Sequence, residues 1–200
     1  MYGKTIIKKR NILVSKNSNN FKFLTFIPAR SGSVGIKNKN IIKIGKKRLL
    51  EFTFEFIKDL NLENNYIHLS TDSKKYQKIA IKNDIRCEFL RSKKISRSKS
   101  KIEDAIFEFL NHQKIIKYKF KYLILLLPTQ PFRDKNLFRK GVNLLKKSNC
   151  VISLKSLDRS NEYIFNINKK KIFLKKKITS TNRNEIQKTY TPCGCFYMMK

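Results

Sequence analysis

The chain has 200 residues, of which 40% are hydrophobic, enough for one folded domain and too many for a wholly disordered protein. Its 46 lysine and arginine residues outnumber its 14 aspartate and glutamate residues, which gives a formal net charge of +32. The longest apolar run, residues 122–127, has the length of a strand and falls well short of the ~20 residues of a membrane helix. We therefore expect no membrane-spanning segment.

The N-terminal segment is polar and basic and lacks the apolar stretch and cleavage pattern of a signal peptide. We predict a flexible basic leader over residues 1–21, a folded domain over residues 22–200 and a cytoplasmic location. The four cysteines form no C-x-x-C pair, and no histidine stands at zinc spacing, so reduced thiols are predicted. A soft metal held between Cys193 and Cys195 is the alternative.

The first predicted element is a buried strand at residues 23–27, an apolar run stopped by Pro28. A helix at 49–60 and a strand at 66–70 follow, and then a helix at 74–83 that is capped within residues 71–73. An amphipathic helix at 102–110 precedes a strand at 122–127. The last elements of this part are a helix at 134–147 and a strand at 151–154. This alternation predicts an α/β fold with a doubly wound, mostly parallel, Rossmann-like sheet.

The pattern changes after residue 157. Two short apolar runs, residues 163–167 and 172–174, flank an Asn-Lys-Lys-Lys segment and predict a hairpin. We predict that this hairpin belongs to a small arm over residues 156–188 that protrudes from the domain. Residues 196–200 are predicted to form a last strand.

Residues 28–40 form a loop rich in glycine and serine directly after the first strand. In an open α/β sheet, ligands bind at the carboxyl ends of the strands. Gly32 and Gly35 allow close approach of the backbone, whose N–H groups form a nest for phosphate oxygens, and Arg30 and Lys39 add cationic donors. The loop is neither a Walker A nor a G-x-G-x-x-G motif. These residues predict a phosphate-binding loop of unspecified type, with an unliganded surface turn as the alternative.

Four sequence blocks carry a resemblance to a known family. They read IPARSGSVGIKNKNI at 27–41, LSTDS at 69–73, FLR at 89–91 and LLLPTQPFR at 125–133. The block at 27–41 resembles the N-terminal signature of the acylneuraminate cytidylyltransferases, the CMP-sialic acid synthetases. The block at 69–73 resembles the S-T-D-S turn of this family, and the block at 89–91 resembles its F-L-R segment. The block at 125–133 resembles its L-L-Q-P-T-S-P-x-R loop. The resemblance extends over about residues 22–200.

The resemblance implies a nucleotidyltransferase that moves CMP from CTP to a sialic-acid-like 2-keto sugar acid, such as an acylneuraminate or legionaminate, and releases pyrophosphate with Mg²⁺ as cofactor. The anomeric hydroxyl of the sugar attacks the α-phosphate, so positioning and charge neutralisation supply most of the catalysis. The resemblance also implies a homodimer, in which the arm brings Arg159 and Lys170 towards the sugar pocket of the neighbouring copy.

The resemblance also assigns site residues by position. Arg30 and Lys39 are implied as catalytic residues that hold the triphosphate, with Lys39 stabilising charge at the α-phosphate. The implied nucleotide-binding residues are Arg30, Ser33, Lys39, Asn40, Asp72 and Arg91, of which Arg91 recognises the cytosine. The implied sugar-binding residues are Thr129, Gln130 and Arg133. From the residues alone, Asp72 is equally well a helix cap, and Arg133 a surface arginine at the start of the next helix.

The sequence departs from the family pattern at several positions. Val34 replaces a lysine, Leu127 a glutamine and Cys193 an asparagine. Family members continue to an aspartate-bearing segment that binds the catalytic metal, whereas this sequence stops at Lys200, so the metal ligands are unassigned. A catalytically impaired or truncated paralogue that binds nucleotide or an intact partner is therefore the alternative function.

The net charge raises a further alternative, a nucleic-acid-binding protein. The lysines are spread along the chain, and AT-rich codons account for an abundance of lysine, asparagine and isoleucine together. No nucleic-acid-binding motif or regular interleaving of aromatic residues accompanies the charge. We therefore predict CTP and an acidic sugar, rather than nucleic acid or a membrane, as the binding partners.

Overall fold

The computed structural model describes residues 19–32, 35–157, 165–168, 171–174 and 190–200, and for 165–168 and 171–174 it describes the backbone alone. The strands are β1 (Asn20–Pro28), β2 (Lys43–Ile44), β3 (Lys47–Arg48), β4 (Asn65–Ser70), β5 (Lys119–Leu125), β6 (Cys150–Ser156), β7 (Phe165–Asn168), β8 (Lys171–Leu174) and β9 (Tyr190–Met199). The helices are α1 (Leu49–Leu60), α2 (Lys74–Lys82), α3 (Ile102–Asn111) and α4 (Lys135–Leu145), with 3₁₀ turns at Lys39–Ile41 and Lys94–Ser96.

Within these ranges, five strands form the main sheet in the order β4-β1-β5-β9-β6. β1 lies parallel to both β4 and β5, with Leu24 opposite Tyr66 on one side and Leu123 on the other. β9 is antiparallel to β5 and to β6, so β6 runs in the same direction as β5. The prediction of a mostly parallel sheet is confirmed, with β9 as its one reversed strand in the described part of the chain.

The sheet is buried on both faces, which explains the continuous apolar runs in its sequence. Successive side chains of a strand point to opposite faces. Phe23 and Ile27 of β1 therefore pack with α1, α2 and α4, whereas Leu24 and Phe26 pack with Phe109 of α3 on the other face. Helices on both faces of a parallel sheet are the doubly wound arrangement that the sequence predicted.

Side-chain caps set where two of the helices begin. Ser73 accepts a hydrogen bond from the Tyr76 backbone N–H at 3.4 Å and starts α2, and Asp134 accepts one from the Leu137 N–H at 2.8 Å and starts α4. Such caps satisfy N–H groups that lack a partner within the helix. The cap of α2 is therefore Ser73 and not Asp72, whose side chain instead contacts Ser31 in the loop after β1.

Several elements differ from their predicted bounds. β1 begins at Asn20, within the predicted leader, and residues 1–18 of that leader lie outside the described residues. β5 ends at Leu125 rather than at 127, and the last strand begins at Tyr190 rather than at 196. The β2–β3 hairpin was not predicted, because two-residue strands made of Lys43, Ile44, Lys47 and Arg48 carry no apolar periodicity.

β7 and β8 pair antiparallel, with Phe165 opposite Leu174, as the predicted hairpin requires. Residues 156 and 157 of the predicted arm are also described, whereas its remaining residues, with Arg159 and Lys170, lie outside the described residues. Among the helices that the structure describes, none has both the length and the apolar character needed to cross a membrane.

Candidate functional site

A cleft of about 580 Å³ opens at the carboxyl ends of β1 and β5. Its walls come from the loop after β1, the segment before α3 and the loop after β5. The residues that line the cleft are Pro28, Arg30, Gly35, Ile36, Lys39, Asn40, Arg91, Ile95, Arg97, Ser100, Lys101, Ile102, Leu127, Pro128 and Thr129. This is the edge at which open α/β sheets bind ligands.

The loop after β1 is held by polar contacts on both sides of its glycines. The carboxylate of Asp72 accepts hydrogen bonds from the Ser31 backbone N–H at 2.7 Å and from the Ser31 hydroxyl at 2.9 Å. The buried amide of Asn40 donates to the Arg30 carbonyl at 3.1 Å. Asp72 and Asn40 thus position the loop, and neither needs a ligand in order to do so.

Open space lies beside the two glycines that the sequence singled out. A Cβ atom at Gly32 or Gly35 would meet no described protein atom within 4 Å. Ser33, a predicted nucleotide-binding residue, lies outside the described residues, as does Val34. No described residue outside the immediate chain neighbours therefore blocks a ligand beside Gly32 or Gly35.

Arg91 is a buried arginine, only 7% exposed, that lies beneath the cleft. Its Nε donates to the Ser70 hydroxyl at 3.0 Å, its Nη2 donates to the Ser70 carbonyl at 2.6 Å, and its backbone N–H donates to the Thr71 carbonyl. Burial lowers the pKa of Arg91, and the carboxylates of Asp72 and Glu108 oppose that shift. The end of β4 therefore fixes this guanidinium in one place.

Cations dominate the described lining of the cleft, which contains five lysines and arginines and no aspartate or glutamate. Arg30, Lys39 and Arg91 were predicted from the sequence. Arg97 and Lys101 were missed, because they belong to no motif block. The sequence signal at these positions was the abundance of serine, lysine and arginine over residues 92–101. Arg30 Nη1 donates to the Arg97 carbonyl, which joins this run to the loop after β1.

The three predicted sugar-binding residues occupy different places. Thr129 lines the cleft. Gln130 packs over Gly194 of β9, since a Cβ at Gly194 would lie 3.5 Å from Gln130 Cγ. Thr129 and Gln130 both remain predicted sugar-binding residues, and of these two Thr129 lines the cleft.

Arg133 has a structural role that its sequence position did not suggest. Its Nε donates to the Cys195 carbonyl at 2.7 Å, its Nη1 to the Thr53 hydroxyl at 3.2 Å and its Nη2 to the Leu127 carbonyl. Burial lowers the pKa of Arg133 to about 10. Arg133 thus ties α1, β9 and the loop after β5 together, and the cleft lining does not include it. It is not a free surface arginine, and its binding of the sugar stays a prediction.

The described residues provide no ready-made cage for a metal ion. Nowhere in the described ranges do three His, Cys, Asp or Glu side chains come close enough to hold one. Asp72 stands next to the loop, but both of its oxygens accept hydrogen bonds from Ser31. The described residues therefore identify no set of protein ligands for Mg²⁺, and the cofactor stays a prediction.

Comparison with known proteins connects this geometry to a family. A family model described as cytidylyltransferase matches residues 24–191. The chain is 33% identical over 147 residues to an N-acylneuraminate cytidylyltransferase of Escherichia coli O18:K1:H7, an alignment that covers 72% of this chain and 33% of that protein. It is 26% identical over 184 residues to a pseudaminic acid cytidylyltransferase of Campylobacter jejuni, covering 88% of this chain and 77% of that protein. The chain thus spans about a third of the length of the first relative.

The fold also has solved counterparts. The structure of a CMP:2-keto-3-deoxy-manno-octonic acid synthetase complexed with CTP superposes with a TM-score of 0.64 at 13% identity, over 90% of this chain and 74% of that one. At this identity the likeness concerns the fold alone, and it confirms the predicted doubly wound α/β fold.

Proposed function

Because the chain belongs to the cytidylyltransferase family, we propose that it transfers CMP from CTP to a sialic-acid-like 2-keto sugar acid and releases pyrophosphate. The observation that carries the proposal is the cleft lined by five cations, without a described carboxylate, at the ligand-binding edge of the sheet. The acylneuraminate and pseudaminic acid named for its relatives indicate the class of sugar.

The lining suits a triphosphate. Arg30 and Lys39 stand on the loop after β1, and Arg97 and Lys101 come from the segment facing it. A cleft with cations on several walls attracts polyanions and holds their charge at short range. We propose that these four side chains bind the phosphates and that Arg91, fixed by Ser70 beneath the cleft, recognises the cytosine.

The proposed chemistry needs little from the protein beyond position and charge. The sugar hydroxyl attacks the α-phosphorus, the bond from that phosphorus to the bridging oxygen of the β-phosphate breaks, and pyrophosphate leaves. Lys39 stabilises the negative charge that builds up on the α-phosphate oxygens. We propose that Thr129 and Gln130, on the loop after β5, hold the sugar acid in line for this attack.

Magnesium enters the proposal as a companion of the nucleotide. Mg²⁺ keeps several waters and is commonly bound through substrate phosphates with one or two protein carboxylates. The described residues offer no cluster of three ligands. We therefore propose that Mg²⁺ is carried mainly by the CTP phosphates.

The proposal is tested by following pyrophosphate release from CTP and Mg²⁺ with a panel of 2-keto sugar acids. We expect release that depends on one class of sugar. Lys39→Ala should lower turnover by about 10²-fold or more, because a cation opposing transition-state charge is removed. Lys46→Ala, an exposed lysine in the β2–β3 turn, serves as the matched control and should act like the unmodified chain.

Two results would contradict this assignment. Normal turnover by Lys39→Ala would remove the proposed role of the loop. CTP binding without pyrophosphate release for every sugar tested would instead favour a paralogue that binds nucleotide without turnover.

We further propose that the protein is a cytoplasmic homodimer. Free thiols at Cys87, Cys150, Cys193 and Cys195 fit a reducing compartment. β6 lies at the edge of the main sheet and exposes Ile152 and Leu154, at 43% and 53%, where a second copy can pack.

A further inference from the structure

Two cysteines on β9 lie close together beside the loop that follows β5. Cys193 and Cys195 are separated by Gly194, and both are half-buried. Residues two apart on a strand project to the same face, about 6.6 Å apart along the chain. Disulfide-bonded cysteines usually have Cα atoms about 5.5–6 Å apart and Cβ atoms about 3.5–4.5 Å apart, so a bond requires the backbone between the two cysteines to depart from a regular extended strand.

The backbone between the two cysteines is irregular. Gly194 has φ +74°, in the left-handed region that favours glycine. The register between β6 and β9 shifts at the same level, between Ile152 and Leu154. A bulge of this kind departs from a fully extended strand and re-aims the side chains on it.

The two thiols interact in the reduced state. Partial burial opposes ionisation of Cys193, but hydrogen bonding with Ser153 and with Cys195 outweighs burial and lowers the Cys193 pKa. Partial burial and the neighbouring Cys193 raise the pKa of Cys195. A thiol of lowered pKa next to one of raised pKa is the arrangement of an attacking and a resolving cysteine.

We propose that Cys193 and Cys195 form a redox-active dithiol that closes into a reversible disulfide. With a low-molecular-weight disulfide as oxidant, the Cys193 thiolate attacks one sulfur and displaces one thiol. The Cys195 thiolate then attacks the Cys193 sulfur and displaces the second thiol. One disulfide is consumed, one forms, and two small thiols are released with the two protons.

The surroundings connect this pair to the cleft. The Cys195 carbonyl accepts the hydrogen bond from Arg133, which also binds the Leu127 carbonyl. Gln130 covers Gly194 between the two cysteines. Closing the ring tightens the backbone at Gly194, so the disulfide alters the loop 127–133 whether or not the proposed function holds.

The test treats the intact protein with oxidised glutathione and maps the products by mass spectrometry. We expect loss of two hydrogen atoms in the peptide holding both cysteines, reversed by a thiol reductant. Cys193→Ser and Cys195→Ser should each carry a glutathione adduct on the remaining thiol. The exposed Cys150 should form only a glutathione adduct, and the control variant Cys150→Ser should lack that adduct and still lose the two hydrogen atoms.

A second readout follows hydrogen–deuterium exchange of peptides that cover 127–133. We expect their exchange rates to change on oxidation in the unmodified chain and in Cys150→Ser, but not in Cys193→Ser. Stable separate adducts on Cys193 and Cys195 would overturn the proposal. So would a failure of both to react while Cys150 forms its adduct.

Discussion

Burial decides what the arginines near the cleft do. The guanidinium groups of Arg91 and Arg133 donate hydrogen bonds to backbone and hydroxyl oxygens of the protein. Arg30 and Arg97 lie on less buried segments. A buried cation must be hydrogen-bonded to offset its desolvation. Arg133 therefore lies outside the cleft lining, whereas Arg91, although fixed by Ser70, lines the cleft together with Arg30 and Arg97.

His68 shows the same principle for a group that titrates. It lies on β4, 1% exposed, with its ring 4.3 Å from that of Phe109, and its Nδ1 has no hydrogen-bond partner among the described residues. Burial, with the nearby charges of Arg91 and His112, lowers the pKa of His68 to about 3. The folded protein thus holds His68 neutral where the unfolded chain takes up a proton.

This shift predicts an acid-sensitive fold. Between the unfolded pKa near 6.5 and about 3, the unfolded state binds the extra proton, so stability falls as the pH falls. The free energy of unfolding should decrease by up to about 1.4 kcal/mol per pH unit from this group. Urea unfolding at pH 7 and pH 5 measures this decrease. In His68→Leu, the free energy of unfolding should change less between the two pH values. An unchanged slope of the free energy of unfolding against pH in His68→Leu would contradict the prediction.

At the residue scale, the sequence indicated where Arg30, Lys39 and Arg91 lie but not the contacts that Arg133 makes. Arg30, Lys39 and Arg91 could be placed at the cleft because motif blocks carry them. Arg133 could not be assigned its contacts, because its partners Thr53 and Cys195 lie 80 and 62 positions away in the chain. Contacts of that separation leave no local pattern.

At the scale of elements, α4 and β9 meet through a glycine. A Cβ at Gly141 of α4 would lie 3.0 Å from Phe196 Cε2 and 3.3 Å from Met198 Cε. Both neighbours are buried, at 3% and 0% exposure, so neither ring nor thioether has free space to enter. Glycine here permits close packing of a helix on the sheet.

This contact predicts that a larger side chain loosens the packing of α4. Gly141→Val should lower the free energy of unfolding by about 1–3 kcal/mol, because overpacking forces buried neighbours to move. Asn143→Val, at an exposed position of the same helix, controls for the helix propensity of valine. Thermal and urea unfolding of the two variants measure the difference. Equal free energies of unfolding for the two variants would contradict the prediction, because they would show that β9 moves to accommodate the added side chain.

The helices and parallel strands followed from local patterns, whereas the sheet order did not. The predicted helix over 49–60 coincides with α1, because its apolar density and flanking residues are local signals. The insertion of β9 between β5 and β6 depends on pairing with strands far away in sequence. Short elements such as β2 and β3 also escaped prediction, since two residues carry no periodicity.

At the scale of the whole molecule, an excess of charge coexists with an apolar edge. The net charge of +32 disfavours self-association through exposed lysines, yet β6 presents Ile152 and Leu154 to the solvent. An edge strand with exposed apolar side chains is suited to pairing with another chain. The proposed homodimer covers this edge.

The proposed homodimer predicts that charge introduced on β6 weakens self-association. The double substitution Ile152→Lys and Leu154→Lys should yield a monomer in sedimentation velocity, because it places cations in an apolar contact. Phe107→Lys, an exposed apolar position on α3 at 63% exposure, is the matched control and should leave the dimer intact. An unmodified chain that sediments as a monomer at assay concentration would contradict the proposal.

The position of β9 also has a consequence for the order of events during synthesis. β5 and β6 leave the ribosome before β9, yet β9 must lie between them. Until Tyr190–Met199 has been made, β6 has no described strand to pair with, and one edge of β5 stays open. Pairings over long stretches of chain form slowly, and unpaired edges attract other nascent chains. Newly made copies should therefore be most prone to aggregate in the interval before β9 inserts.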